Sequence, residues 1–288
     1  MALNNLTKKE WTKLSVSVWR GLSPSRKKYK LEHGATFPEP LVERIVKIYT
    51  KKGDLVLDPF VGVGTTLIES RKLERFSIGI ELYEHFVKIT KNLLVQQTVL
   101  SFGNNKLLPE MPKVAYDDGM CALVCDDCRN LLDYIKPNSV QLVLTSPPYS
   151  YLMHVTKEDR LLIQKKSKFS SVKNRFVPYG DDPRDFGNLT YEEFVKEIEE
   201  LMKKLYKVTK PGGYGVWVVR DFRDTKRNKP YIPLHVDIAR AGEKAGFVWH
   251  DLVVWDQNDN RKLVLLGYPS VFYTNINHTF LIVLRKRK

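Results

Sequence analysis

The hydrophobic positions of this chain fall into short apolar runs that alternate with longer stretches of helical periodicity. Short runs rich in Val, Ile and Leu are typical of buried strands, whereas apolar residues that recur every three or four positions are typical of amphipathic helices. The strand-like runs cover residues 54–58, 76–80, 121–125, 140–145, 214–219, 248–255 and 278–285. Helical periodicity covers residues 39–50, 65–74, 83–98, 191–208 and 235–245.

The order of these elements predicts an α/β fold. Strands that alternate with helices are typical of a mainly parallel sheet with helices packed on both faces. We therefore predict a seven-stranded, mainly parallel sheet within one domain over residues 1–288, with residues 1–36 as an N-terminal extension. Residues 150–189 break the alternation after the fourth strand, so we predict an inserted basic segment there.

A glycine turn follows the first predicted strand, where residues 54–66 read Asp-Leu-Val-Leu-Asp-Pro-Phe-Val-Gly-Val-Gly-Thr-Thr. Glycine lets the backbone approach a ligand closely, and the start of the next helix offers free N–H groups. The second strand ends at Glu81, and an acid at that place suits the two hydroxyls of a ribose. The turn lacks the third glycine of the dinucleotide fingerprint, so taken alone it is weak evidence for a nucleotide.

A second motif, Thr145-Ser146-Pro147-Pro148-Tyr149, follows the fourth strand. The exocyclic amine of adenine or cytosine is a poor nucleophile because its lone pair is delocalised into the ring. Acceptors that take hydrogen bonds from both N–H groups would free that lone pair, and Ser146 offers a hydroxyl and a carbonyl beside a stiff Pro-Pro pair. Tyr149 adds a flat face for a base. A Pro-Pro stop after a strand, with Tyr149 as a core aromatic, is equally compatible with this motif taken alone.

Together, the glycine turn and the second motif resemble the S-adenosylmethionine-dependent amino-methyltransferases of DNA, the N4-cytosine and N6-adenine group. The resemblance also includes residues 37–41, 127–132 and 278–286, so it spans residues 33–288 with gaps. It implies a Rossmann-like fold with S-adenosylmethionine as the cofactor. The cofactor-binding residues that it implies are Phe37, Pro38, Asp58, Pro59, Phe60, Gly62, Gly64, Thr65, Thr66, Glu81, Asp127 and Thr145.

The same resemblance assigns roles to single residues. Asp58 and the glycines would line the methionine part of the cofactor, Glu81 would bind the ribose hydroxyls, and Asp127 would bind the adenine amino group. The catalytic residues would be Ser146, Pro147, Pro148 and Tyr149. The tetrapeptide begins with Ser in most N4-cytosine enzymes and more often with Asp or Asn in N6-adenine enzymes, so Ser146 favours N4 of cytosine. The alternatives are an N6-adenine DNA enzyme and an N4-cytidine enzyme that acts on structured RNA; a cofactor-binding subunit without catalysis is disfavoured because both motifs are complete.

The order of the two motifs departs from the usual order in that family. Enzymes with this catalytic motif usually carry it ahead of the cofactor turn, with the DNA-reading segment between the two. Here the cofactor turn comes first, which leaves the expected site intact but removes the usual place for a segment that reads sequence. A structured RNA substrate gains weight for this reason.

The charge of the chain suits a polyanionic partner, because the net charge is +14 and the sequence pI is about 9.5. We expect nucleic acid, DNA rather than RNA, and two segments to contact it. The contacts expected in residues 150–189 are Lys165, Lys166, Lys168, Lys173 and Arg175. The contacts expected in the loop 256–270 are Arg261 and Lys262. A lid over the cofactor and an ordinary surface hairpin are the respective alternatives.

The remaining features bear on location, metals and one further acid. No apolar run reaches the length of a membrane span and no secretory pattern is present, so we expect a cytoplasmic protein without a membrane partner. Cys121, Cys125 and Cys128 lack a second, separated pair, so we expect buried thiols and no metal. None of the three has the Pro-Cys context of ring-carbon cytosine methylation. Asp221, at the end of the fifth strand, is either a substrate contact or a helix or turn cap.

Overall fold

The computed structural model describes residues 2–23, 36–97, 106–149, 180–261, 263 and 265–288. The helices of this part are α1 (Lys8–Leu14), α2 (Glu39–Tyr49), α3 (Thr65–Lys72), α4 (Glu84–Gln97), α5 (Tyr191–Val208) and α6 (Leu234–Lys244). The strands are β1 (Val18–Trp19), β2 (Leu55–Asp58), β3 (Phe76–Glu81), β4 (Val114–Asp117), β5 (Cys121–Cys125), β6 (Val140–Thr145), β7 (Thr209–Val219), β8 (Phe222–Asp224), β9 (Lys229–Ile232), β10 (Val248–Asp256) and β11 (His278–Arg285).

The described strands form one large sheet in the order β1-β10-β11-β7-β6-β2-β3-β5-β4, and β8 pairs with β9 in a separate hairpin. The neighbours from β7 to β5 are all parallel, whereas β4, β11 and β10 join by antiparallel pairing. All seven predicted strands are present, and the mainly parallel α/β fold is confirmed. The sheet has nine strands rather than seven because β1 and β4 add short edges that lack an apolar run.

Each central strand packs on both faces of the sheet, because successive side chains in a strand point to opposite sides. Leu57 of β2 and Val143 of β6 belong to the buried cluster that includes α5 and α6. Val56 and Leu142, their chain neighbours, belong to the cluster that includes α2. A third cluster joins α3 and α4 to the α2 side of β5. Helices therefore cover both faces, as the sequence predicts.

The longest helix, α5, illustrates how the sequence specifies one of these layers. Thr190 and Glu193 form a capping box that closes its first turn, a device that contributes about 1 kcal/mol. Phe194, Ile198 and Leu205 are among the buried residues that recur along one face of the helix.

The carboxyl ends of the parallel strands meet at one edge of the sheet. Asp58 ends β2, Glu81 ends β3, Thr145 ends β6 and Val219 ends β7. This edge is where open α/β sheets place their ligands.

Two further expectations concern the described residues. None of the helices described has the length and apolar character that crossing a membrane requires. All three cysteines are free thiols; Cys121 and Cys128 are buried, as expected, and Cys125 is partly buried.

Candidate active site

A cavity of about 690 Å³ opens at the carboxyl edge of the sheet. The predicted site residues that line it are Phe37, Pro38, Asp58, Pro59, Phe60, Gly62, Thr65, Glu81, Asp127, Ser146, Pro147, Pro148, Tyr149 and Arg261. The glycine turn and the Ser-Pro-Pro-Tyr motif, far apart in the chain, therefore share one cavity. Gly64, Thr66 and Thr145 are not part of its lining.

Asp58 is almost wholly buried and is held by three donors. Thr145 Oγ1 donates to Asp58 Oδ1 at 2.8 Å, Thr66 Oγ1 donates to Oδ2 at 2.6 Å, and the Phe60 N–H donates to Oδ1 at 3.1 Å. Burial raises the pKa of this carboxyl to about 6, although the hydrogen bonds oppose the rise. The two threonines, expected to contact the cofactor, instead fix the carboxylate that lines the cavity.

The glycine turn needs glycine for two reasons. Gly62 and Gly64 have φ values of 53° and 80°, in the left-handed region that disfavours other residues. A Cβ atom at Gly64 would also lie 2.5 Å from Thr90 Cγ2, so Gly64 shapes the start of α3 from outside the cavity.

Glu81 ties this turn to the end of β3. Its Oε2 accepts the Gly62 N–H at 2.9 Å, and its Oε1 accepts the Tyr83 N–H at 2.9 Å. Burial raises the pKa of the Glu81 carboxyl to about 7, against the effect of these two hydrogen bonds.

Asp127 lies just after β5 and caps the short 3-10 turn Cys128–Asp133. Its carboxylate accepts the Arg129 N–H at 2.9 Å and both oxygens accept from Arg129 Nε, at 3.0 and 2.9 Å. Arg129 in turn donates to Glu197 at 3.1 Å, so Asp127 is anchored to α5. We call Asp58, Glu81 and Asp127 the acid wall.

The catalytic motif follows β6, which lies between β2 and β7 in the sheet. Pro147 is buried, and Ser146, Pro148 and Tyr149 are partly buried. The Tyr149 hydroxyl accepts the Arg220 N–H at 3.1 Å. Burial raises the pKa of this phenol, and Tyr149 also packs against the core of the α5 and α6 face. Tyr149 is thus partly a core aromatic and partly a wall of the cavity.

The opposite wall carries residues that sequence reasoning missed. Arg220 and Arg223 come just after β7, and Trp255 lies near the end of β10; we call these three the donor wall. Arg220 Nη2 donates to Gln257 Oε1 at 3.0 Å and lies 3.4 Å from Thr279 Oγ1. The only signal in the sequence was the position of Arg220 after a strand, next to Asp221.

Asp221 acts as a cap, one of its two predicted roles. Its fully buried carboxylate accepts the His235 backbone N–H at the start of α6, at 3.0 Å, and the Tyr231 hydroxyl at 2.5 Å. His235 Nδ1 lies 2.7 Å from the same carboxylate. Asp221 also lines the cavity, but its bonds hold the donor wall in place.

The predicted nucleic-acid contacts divide into two groups. Arg261 lines the cavity, and its Nε donates to Gln257 Oε1 at 3.1 Å. In the loop after it, Leu265, Tyr268 and Phe272 are 84%, 76% and 88% exposed. The predicted contacts that lie outside the described residues are Lys165, Lys166, Lys168, Lys173, Arg175 and Lys262.

The fold and this cavity define a class of protein: a mainly parallel α/β sheet whose carboxyl edge joins a glycine turn, buried acids and an amine-directed motif. The chain belongs to the family of N6 and N4 methyltransferases described as DNA methylase, which it matches over residues 3–92 and 140–288. The family is S-adenosylmethionine-dependent, so the cofactor predicted from the sequence is confirmed.

Individual relatives match over shorter stretches. Type II methyltransferase M2.DpnII of Streptococcus pneumoniae is 42% identical over 78 residues, which are 27% of this chain and 29% of that protein. Type II methyltransferase M.HpaI of Haemophilus parainfluenzae is 34% identical over 172 residues, 54% of this chain and 53% of that protein. The crystal structure of a DNA modification methylase from Thermus thermophilus, complexed with S-adenosyl-L-methionine, matches with a TM-score of 0.36 and 22% identity, covering 56% of this chain and 51% of that one. The chain therefore spans about half or less of each of these proteins.

The residues present fit this cofactor. S-adenosylmethionine carries an ammonium group, a sulfonium group and a ribose diol, all of which favour carboxylate partners. The acid wall supplies carboxylates that are already oriented by hydrogen bonds, and Gly62 keeps the backbone beside them free of a side chain.

Proposed function

We propose that this protein methylates the exocyclic N4 amine of cytosine in DNA. The observation that carries the proposal is the order of the strand ends along the cavity. The acid wall follows β2, β3 and β5, the Ser146 motif follows β6, and the donor wall follows β7 and β10. The amine-directed motif is therefore flanked by a wall suited to the cofactor and a wall suited to a second ligand.

On the acid wall, Asp58 would hold the ammonium group of the cofactor, Glu81 the ribose hydroxyls and Asp127 the adenine amine. When bound there, the cofactor supplies an electrophilic methyl group. The remaining residues assigned to it, Phe37 and Pro38 at the start of α2 among them, line the same cavity.

At the motif, the Ser146 hydroxyl and the Pro147 carbonyl accept one hydrogen bond each from the target amine. Both bonds draw the nitrogen toward tetrahedral geometry and free its lone pair for attack. The base is extruded from the duplex and rests against Tyr149. Tyr149 is suited to this because its hydroxyl is anchored by the Arg220 N–H and its ring is held by the core.

The choice of cytosine over adenine rests on Ser146, the first residue of the tetrapeptide. The choice of DNA rests on the family to which the chain belongs and on the net charge of +14. Arg261 would contact the phosphate backbone from the rim of the cavity, together with Lys262 and the cations of the proposed insert 150–189. We keep residues 1–288 as one methyltransferase domain with an N-terminal extension 1–36.

The test is a transfer assay with a nucleoside readout. The chain is incubated with S-adenosylmethionine carrying a deuterated methyl group and with unmethylated genomic DNA or total RNA, and the digested nucleosides are separated by mass spectrometry. We expect labelled N4-methylcytosine from DNA. Labelled N6-methyladenine would replace the base assignment, label in RNA alone would replace the substrate, and no label in either would overturn the proposal.

A further inference from the structure

Two buried N–H groups of the donor wall have no hydrogen-bond partner among the residues that the structure describes. They are Arg220 Nε and Trp255 Nε1, and both residues line the cavity. Arg223 Nε is a third such group, but the other nitrogens of its guanidinium donate to Pro230 and Thr274 at the exposed rim. A buried donor without an acceptor is costly, so each such group calls for an explanation.

Arg220 is fixed in place beside the proposed target. Its backbone N–H holds the Tyr149 hydroxyl, while its Nη2 is held by Gln257 and lies near Thr279. Among the described residues, no carboxylate forms an ion pair with its guanidinium, so its charge is not used within that part of the chain.

The chemistry of these two groups restricts what they can bind. A guanidinium and an indole N–H donate hydrogen bonds but cannot accept them. Their ligand must therefore present acceptors. Ser146 and the Pro147 carbonyl, which follow the neighbouring strand, would accept from the amine of the same ligand.

The nucleobases differ in this respect. Next to its amine, cytosine presents two acceptors in succession, ring N3 and carbonyl O2. Adenine presents one, ring N1, followed by a C–H group. We infer that Arg220 and Trp255 form a donor subsite that binds the N3 and O2 acceptors of the extruded cytosine. The inference rests on the proposed function and adds a specificity determinant that is independent of Ser146.

The first test removes the donors one at a time. Trp255→Phe deletes the indole N–H and keeps an aromatic ring, and Arg220→Gln deletes the guanidinium. We expect kcat/KM for DNA to fall about 10- to 100-fold for Arg220→Gln and about 3- to 10-fold for Trp255→Phe, as for bonds from a charged and a neutral donor. Affinity for S-adenosylmethionine, measured by calorimetry, should stay within about twofold of wild type because the acid wall is unchanged.

Matched controls exist in the same sheet. Trp249→Phe alters the same residue type in the first half of β10, outside the cavity lining. Arg285→Gln alters an arginine at the end of β11, whose Nε is also buried without a described partner. Both controls should leave transfer to DNA unchanged, and a loss as large as that of Arg220→Gln would indicate a structural role for these side chains.

The decisive test pairs the variant with a changed base. Once the methylated site is mapped in wild type, an oligonucleotide carries 3-deazacytosine there, which lacks the N3 acceptor but keeps the amine and O2. Wild type should prefer cytosine by about tenfold or more, and Arg220→Gln should lose most of that preference. If the preference is unchanged in the variant, Arg220 does not read the base; equal losses on both substrates would place it on a phosphate instead. Absence of N4-methylcytosine in wild type would overturn the proposed function itself.

Discussion

The acid wall and the donor wall differ in how far their polar groups are paired within the chain. Asp58 and Glu81 accept hydrogen bonds from hydroxyls and backbone N–H groups on both carboxylate oxygens. Arg220 Nε and Trp255 Nε1 have no partner among the described residues. Groups paired within the chain shape a cavity before a ligand arrives, whereas groups with spare donors can select that ligand. Changes on the acid wall should therefore affect folding and cofactor binding together, and changes on the donor wall should affect the target.

The largest effect should come from the point between the two walls. Ser146→Ala removes an acceptor that would act on the target amine chiefly in the transition state. We expect the methyl-transfer rate to fall about 100-fold or more in single-turnover assays, with unchanged cofactor affinity. Ser139→Ala, at a partly exposed serine just before the same strand, is the control. A normal single-turnover rate in Ser146→Ala would show that the hydroxyl is only structural.

On the acid wall, Asp58→Ala should lower affinity for S-adenosylmethionine about 10- to 100-fold by calorimetry, as for the loss of a charge-assisted hydrogen bond. The same change leaves the Thr66 and Thr145 hydroxyls without their acceptor, so the melting temperature should fall as well. Thr145→Val separates the two effects because it keeps the carboxylate: stability should fall by about 1 kcal/mol while affinity changes less. Wild-type affinity in Asp58→Ala would remove Asp58 from the cofactor site.

Glu81 gives the acid wall a pH dependence. Burial raises the pKa of its carboxyl from 4.5 to about 7, so the folded state retains a proton that the unfolded chain loses. The free energy of unfolding of the ligand-free protein should therefore decrease as the pH rises from about 4.5 to 7, with Asp58 contributing in the same direction up to about pH 6. Glu81→Gln should reduce this decrease by about 1–3 kcal/mol in urea titrations at about pH 5 and pH 8. Glu84→Gln, at an exposed acid on the next helix, should not.

The acid wall was predictable from the sequence and the donor wall was not, and the reason is local order. Asp58 and Glu81 each end an apolar run, so a strand-turn-helix pattern gives their position directly. Arg220 and Trp255 come together only because β10 and β7 lie on either side of β11, an arrangement that no local pattern encodes. The spacing of Thr66 likewise predicted its neighbourhood but not its partner, Asp58.

The same limit applies to the edges of the sheet. β4 reads Val-Ala-Tyr-Asp and β1 has two residues, so neither contains an apolar run that could be recognised. Their pairing with β5 and β10 depends on the tertiary structure alone.

The smallest effect should come from the loop beside the donor wall. Residues 260–277 contain two cations and no acid, and Tyr268 and Phe272 are 76% and 88% exposed. If aromatic side chains of this loop stack on DNA near the extruded base, Tyr268→Ala and Phe272→Ala should each weaken DNA binding about fivefold in anisotropy titrations. Phe76→Ala, at the start of β3 and so at the opposite edge of the sheet, is the control and should leave DNA binding unchanged. Unchanged affinity in both loop variants would show that the donor wall meets DNA without this loop, and would confine the contacts on this side to Arg261 and its neighbours.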